Sequence, residues 1–188
     1  HLANVFRRLN RICKHYSPSP QFLCSSATIA NPVELAENIC GKRFMLIDRD
    51  GSPAPQKQYY IIQPPLIRDT TYRIPVANIS ANLIPELALE KRNFIAFCKS
   101  RKTVVLKESR DKLKYDGIAG QDLSDLISGY RGGYTPKERK EIENKMISGK
   151  LRGLISTNAL ELGIDIGKVD TTIITGYPGT RASFWQQS

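Results

Sequence analysis

Phe94-Ile95-Ala96-Phe97-Cys98 sets five apolar side chains in a row with no polar residue between them. A strand with one wet face alternates, because successive side chains point to opposite sides. An unbroken apolar run therefore reads as a strand buried on both faces, the signature of a parallel sheet covered by helices. Three more strand candidates follow, at about Asp125–Tyr130, at Leu151–Ser156 and at Thr171–Thr175. Helical segments separate them. Lys99-Ser100-Arg101 turns the chain into one helix, and Thr135-Pro136-Lys137-Glu138 is a capping box with Pro at the first helical position of another. Strands alternating with helices predict an α/β domain with a mostly parallel sheet.

The chain upstream is less regular. Leu2, Val5, Phe6, Leu9, Ile12 and Cys13 recur at the spacing of a helix with one buried stripe, and Ser17-Pro18-Ser19-Pro20 stops it. Gln21–Ser25 is a short strand candidate, and Asn31-Pro32 starts a second helix that runs to Cys40 before Gly41. Residues 1–41 thus read as a helix–strand–helix piece that cannot close a sheet by itself. Residues 42–57 read as a linker, and residues 58–188 as the main domain. That domain opens with a strand candidate at Tyr59–Gln63, halted by Pro64-Pro65. Helical material between Tyr72 and Arg92 shows Ile79, Leu83 and Leu87 on one face, with a kink or break expected at Pro85.

Composition narrows the partners. The 188 residues carry a formal net charge of +10, which favours a polyanion, although a basic soluble protein without such a partner has the same balance. Cys13, Cys24, Cys40 and Cys98 form no C-x-x-C pair and lie among apolar neighbours, so they read as buried thiols in a reducing cytoplasm, not as zinc ligands. No apolar run approaches the ~18 residues of a membrane span. The chain opens at His1 without Met and stops at Ser188 inside a predicted helix, so it is expected to be part of a longer protein. No G-x-x-x-x-G-K-[ST] loop, paired Asp-Glu run or Ser-His-Asp set occurs in it.

Open parallel sheets place ligands at the carboxyl ends of their strands. Ser100 and Arg101 follow the first apolar run, Arg131 and Gly132 follow the second strand, and Thr157 follows the third. Taken singly, each is ordinary turn chemistry. Together, at one edge of a +10 chain, hydroxyls, guanidinium groups and helix starts make a surface for phosphate backbone rather than for reading bases. Beyond Thr157, Gly163 lets the backbone approach a ligand and Asp165 offers a carboxylate. Trp185 and Tyr177 have the chemistry to stack on a base, while a lone Trp near a helix start is more often core. The lysine-rich helices around Lys112 and Lys140 read as solvated faces.

Ser25-Ser26-Ala27-Thr28 with Asn31-Pro32, Leu46-Ile47-Asp48, Tyr130-Arg131-Gly132-Gly133-Tyr134, Thr157 to Asp165, and Gly176-Tyr177-Pro178-Gly179-Thr180 form an ordered set. It resembles motifs III, V and the start of VI of superfamily 2 helicases, and within them the YprA-like branch, which contains a mitomycin-repair DNA helicase. The resemblance covers nearly the whole chain. It implies a RecA-like, P-loop-NTPase-type helicase C-terminal domain truncated at motif VI, preceded by a remnant of the first RecA-like domain. It implies an ATP-dependent DNA helicase moving 3′ to 5′ in DNA repair, with ATP and Mg2+ used by the full-length parent and neither held by this piece alone. Ser26 and Thr28 take the coupling role of motif III, and Gln186 opens motif VI. Gly163 and Asp165 take the nucleotide-facing end of motif V. Ser100, Arg101, Arg131, Gly132 and Thr157 contact single-stranded DNA through its backbone. The remaining first RecA-like domain is an expected partner, and residues 1–41 are expected to fold against the domain, self-associate or make the chain association-prone. The alternatives are an RNA helicase, a restriction-type translocase, or a non-catalytic nucleic-acid-binding module.

Overall fold

The computed structural model describes residues 1–26, 29–49, 51, 53, 56–99, 102–115, 123–160 and 166–188, without the side chains of residues 115 and 159. The chain divides into two units, His1–Tyr60 and Ile61–Ser188.

The first unit holds helices α1 (Leu2–Tyr16) and α2 (Pro32–Cys40). The Asn10 side-chain amide donates to the Cys40 carbonyl at 2.9 Å, and Phe6 meets Phe22 edge-on at 5.4 Å. Asn31 and Pro32 start α2 as the sequence predicts, but the Asn31 amide donates to the Glu34 carboxylate instead of capping a backbone N–H. The apolar stripe of α1 is not buried here: Leu2, Val5, Leu9 and Ile12 are exposed, and the half-buried face is Ala3, Phe6, Asn10 and Cys13. Cys40 is buried and Cys24 exposed, which corrects the expectation of four buried thiols. Gln21–Ser25 is not a strand. Lys42 lies over the Phe22 ring and donates to the Pro20 carbonyl, and no strand pairing forms here among the described residues.

Tyr59–Gln63, which spans the division between the two units, also fails to form a strand, and Ile61 is fully exposed. Extended β-prone residues need a paired edge to become a strand. Among the described residues, the nearest pairing is the single antiparallel bridge between Leu66 and Arg73. Helix α3 (Val76–Leu89) then runs unbroken through Pro85. A helical Pro leaves the carbonyl four residues earlier without its N–H. Here that carbonyl, on Ala81, accepts from the buried Ser109 hydroxyl at 3.5 Å. The buried face of α3 is Ala77, Ser80, Ala81, Ile84, Pro85 and Ala88, with Ile79, Leu83 and Leu87 flanking it half-buried.

Four parallel strands follow: β1 (Phe94–Cys98), β2 (Ile127–Tyr130), β3 (Gly153–Ser156) and β4 (Thr171–Thr175), in the order β2-β3-β1-β4. Helices α4 (Lys102–Tyr115), α5 (Pro136–Ile147) and α6 (Arg181–Gln187) alternate with them. β2 begins two residues later than expected because Ser124–Leu126 is a 3-10 turn. β1 is buried at every position, and alternation splits it between two cores. Phe94, Ala96 and Cys98 pack with α3 and α4 residues such as Ile84, Val105 and Leu113. Ile95 and Phe97 pack with Tyr130, Met146 of α5 and Leu154. The predicted parallel sheet with helices on both faces is therefore present. The capping box of α5 is complete: Thr135 Oγ1 accepts from the Glu138 N–H, and the Glu138 carboxylate accepts from the Thr135 N–H at 2.7 Å.

Candidate nucleic-acid interface

The register aligns the strand ends. Tyr130 pairs with Ser156, Ser156 with Phe97, and Phe97 with Ile174, so β2, β3, β1 and β4 finish abreast. The chain therefore leaves the sheet at one edge with Arg131, Thr157, Lys99 and Gly176. Of the sequence-predicted strand contacts, Arg131, Gly132 and Thr157 are brought to this edge. Thr28, Ser100, Arg101, Gly163 and Asp165 lie outside the described residues. Ser26 belongs to the first unit and is exposed.

A cleft of about 150 Å³ opens at the ends of β1, β3 and β4. Lys99, Thr157, Asn158 and Gly176 line its rim, and Cys98, Thr175 and Gln187 its interior. Gly176 has a φ of +79°, a backbone conformation that a side chain would resist, which lets the chain fold sharply over the cleft. Thr180 then caps α6, its hydroxyl accepting from the Ser183 N–H at 3.0 Å. Gln187 is buried against the cleft and Gln186 is exposed. Below the cleft the Thr175 hydroxyl bonds the Ser80 hydroxyl at 2.7 Å and accepts from the Cys98 thiol at 3.5 Å. Burial pushes the Cys98 thiol up from its ordinary pKa, so it stays a neutral donor in this chain of contacts.

Cations gather beside it. The Lys102 ammonium, at the start of α4, donates to the Tyr130 carbonyl at 3.0 Å. Burial, and next the Arg131 guanidinium, push its pKa below the ordinary lysine value. Arg131 lies over the Tyr134 ring at 5.0 Å, and Arg139 donates to the Gly132 and Tyr134 carbonyls, which fixes the Arg131–Tyr134 turn. Like charges held together at a strand end are costly by themselves and become favourable when an anion lies between them. Lys99 and Lys102 were missed by sequence reasoning, though in the sequence both flank Ser100 and Arg101. Gln187 was missed too, and its i,i+4 spacing from Ser183 was the available signal. Trp185 and Tyr177 are both exposed, so the core reading of Trp185 is corrected.

The described lining offers hydroxyls, amides and ammonium groups and no carboxylate, which suits binding phosphate oxygens. Its volume is below the roughly 300–1,000 Å³ of small-molecule sites, so the described residues do not enclose a nucleotide.

The helicase conserved C-terminal domain family matches residues 78–188. Over 191 residues the chain is 44% identical to an uncharacterized ATP-dependent helicase, YprA, of Bacillus subtilis, covering 100% of this chain and 25% of the relative. The solved structure of the helicase MrfA bound to DNA and AMPPNP superposes with a TM-score of 0.85 at 43% identity, covering 98% of this chain and 25% of that one. That of the Mycobacterium smegmatis helicase Lhr bound to single-stranded DNA and AMP-PNP gives 0.64 at 26% identity, covering 86% of this chain and 21% of that one. These matches bear out the RecA-like expectation for the fold. The chain spans a quarter or less of the length of the relatives it matches.

Proposed function

We propose that this chain, which belongs to the helicase conserved C-terminal domain family of superfamily 2, grips a single DNA strand as the second RecA-like domain of an ATP-dependent DNA helicase. Residues 1–41 are, on this reading, the end of the first RecA-like domain, residues 42–57 the linker and residues 58–188 the second domain. The observation that carries the proposal is the shared edge: four parallel strands end abreast, and their turns present Arg131, Thr157, Lys99 and the Lys102 ammonium to one side. Such a row holds phosphates and leaves the bases unread. Gly132 keeps its turn close to the backbone, fixed by Arg139. Ser100 and Arg101 join the row by their sequence position. DNA as the strand is supported by the DNA in the MrfA structure.

The parent would use ATP with Mg2+. Gly163, Asp165 and Gln186 would face the nucleotide, and Ser26 and Thr28 would couple its hydrolysis to strand movement. The parent's work would be 3′-to-5′ translocation in DNA repair in the cytoplasm.

Titration with labelled single-stranded DNA at two salt concentrations tests the binding. The chain should bind with Kd near the non-specific range of ~10⁻⁴ to 10⁻⁶ M and weaken as salt rises. Arg131→Gln and Thr157→Ala should weaken binding for every sequence alike. In the full-length parent, Asp165→Ala should depress ATP turnover more than strand binding. Affinity that ignores salt and both variants would sink the strand-gripping role.

A further inference from the structure

Helix α1 is built unlike the other exposed helices. In α5 cations and carboxylates interleave, and Lys140 pairs with Glu143. The 15 residues of α1 contain Arg7, Arg8, Arg11 and Lys14 with no carboxylate at all, and the first acidic residue of the chain is Glu34. At 100° per residue these cations and Asn4 share one face, opposite Leu2, Val5, Leu9 and Ile12. All four cations are exposed, and no ion pair among the described residues involves them. Among the described residues, the Arg7 guanidinium reaches only the Asn4 amide oxygen, at 3.5 Å. Like charges at i,i+3 and i,i+4 oppose helix formation, so this face costs stability and gains nothing within the described fold.

The face also borders a shallow, open groove. Asn4, Arg7, Arg8, Arg11 and Lys14, with Gly41 at the end of α2, line a groove of about 580 Å³. The carboxylates of α2 do not line it; Glu34 accepts from the Asn31 amide and Glu37 from the Phe44 N–H. From Arg7 to Lys14 the helix rises about 10 Å, enough to meet two successive phosphates of an extended strand. We propose that this groove is a second phosphodiester-binding surface, which takes the backbone of a nucleic-acid strand. It rests on the reading of the parent as a nucleic-acid motor but uses none of the sheet-edge residues.

The test compares three forms of the 188-residue chain in salt titrations with labelled single-stranded DNA: wild type, Arg7→Gln/Arg8→Gln/Arg11→Gln/Lys14→Gln, and the sheet-edge variant Lys99→Gln/Arg131→Gln. Gln keeps helix propensity, and circular dichroism verifies that α1 persists. The α1 variant should bind at least tenfold more weakly at low salt. Its slope of log K against log salt should be shallower by about 1.4, at ~0.7 for each of two phosphate contacts. The charge-keeping variant Arg7→Lys/Arg8→Lys/Arg11→Lys should retain most of the affinity. Loss in the sheet-edge variant alone would overturn the α1 proposal and leave the functional reading standing. Loss in the α1 variant alone would do the reverse. Anionic phosphatidylserine vesicles that bind wild type and not the α1 variant, with DNA affinity unchanged, would also overturn it, in favour of a membrane surface.

Discussion

Gly153 is the position where one methyl group should do most harm. It pairs with Phe94 across β3 and β1, and a Cβ built on it would lie 1.9, 2.3 and 2.5 Å from three carbons of the Phe94 ring. Carbon atoms rest at about 3.5–4.0 Å, so the ring must retreat by roughly 1.5 Å or more. It has nowhere to go, being fully buried among Ala81, Ile84, Ala88 and Ile127. Overpacking of this kind costs ~1–3 kcal/mol, while replacing Gly by Ala returns ~0.4–1 kcal/mol through the unfolded chain, leaving a net loss of about 1–2 kcal/mol for Gly153→Ala. Urea denaturation followed by far-UV circular dichroism measures it directly, as a lower midpoint at unchanged slope. The cause is isolated by a double-mutant cycle. Phe94→Leu removes the ring, so the methyl group becomes tolerable and the double variant should be more stable than additivity predicts, by ~0.5 kcal/mol or more. A Gly153→Ala chain as stable as wild type, or strict additivity with Phe94→Leu, would refute the reasoning.

Thr135→Ala removes the hydroxyl that accepts from the Glu138 N–H and should cost ~0.5–2 kcal/mol in the same denaturation assay. The Asn93 N–H, at 3.1 Å, and then Lys168 hold the Asp170 carboxyl below the ordinary aspartate range. A folded-state pKa that is depressed gives stability that is fully present above the unfolded value and is lost as pH falls through the folded one. Asp170→Asn should therefore lower stability at neutral pH and flatten its decline in acid, as denaturation midpoints between pH 2 and 7 would record. Leu2, Val5, Leu9 and Ile12 expose an apolar stripe, so the chain should self-associate with rising concentration, and Val5→Gln/Leu9→Gln should reduce this in sedimentation velocity. Sedimentation that is concentration-independent in wild type would count against that stripe as a contact.

What was legible in the sequence was what neighbouring residues decide. β1 is visible because burial on both faces leaves no polar position in Phe94–Cys98, and α5 because Thr135, Pro136 and Glu138 carry its start within four residues. The misreadings turn on distant partners. Gln21–Ser25 and Tyr59–Gln63 have strand-like composition, but a strand exists only where another pairs with it, and composition does not say whether one does. Pro85 looks like a helix break until Ser109, on another helix, supplies a donor to the orphaned Ala81 carbonyl. The candidate site divides the same way. Its location follows from a rule about strand ends, so Arg131 and Thr157 could be placed on one edge before the register was known. Side-chain direction does not follow from that rule. α6 turns Gln187 into the cleft and Gln186 outward, one residue apart. Lys102 shows the limit most plainly: in sequence it is one of several lysines beside a helix start, and only the fold brings its ammonium to the Tyr130 carbonyl and next to Arg131. A cation that burial and a like charge both disfavour is retained at a cost to the free domain, and an anionic strand along this edge is the partner that would offset it.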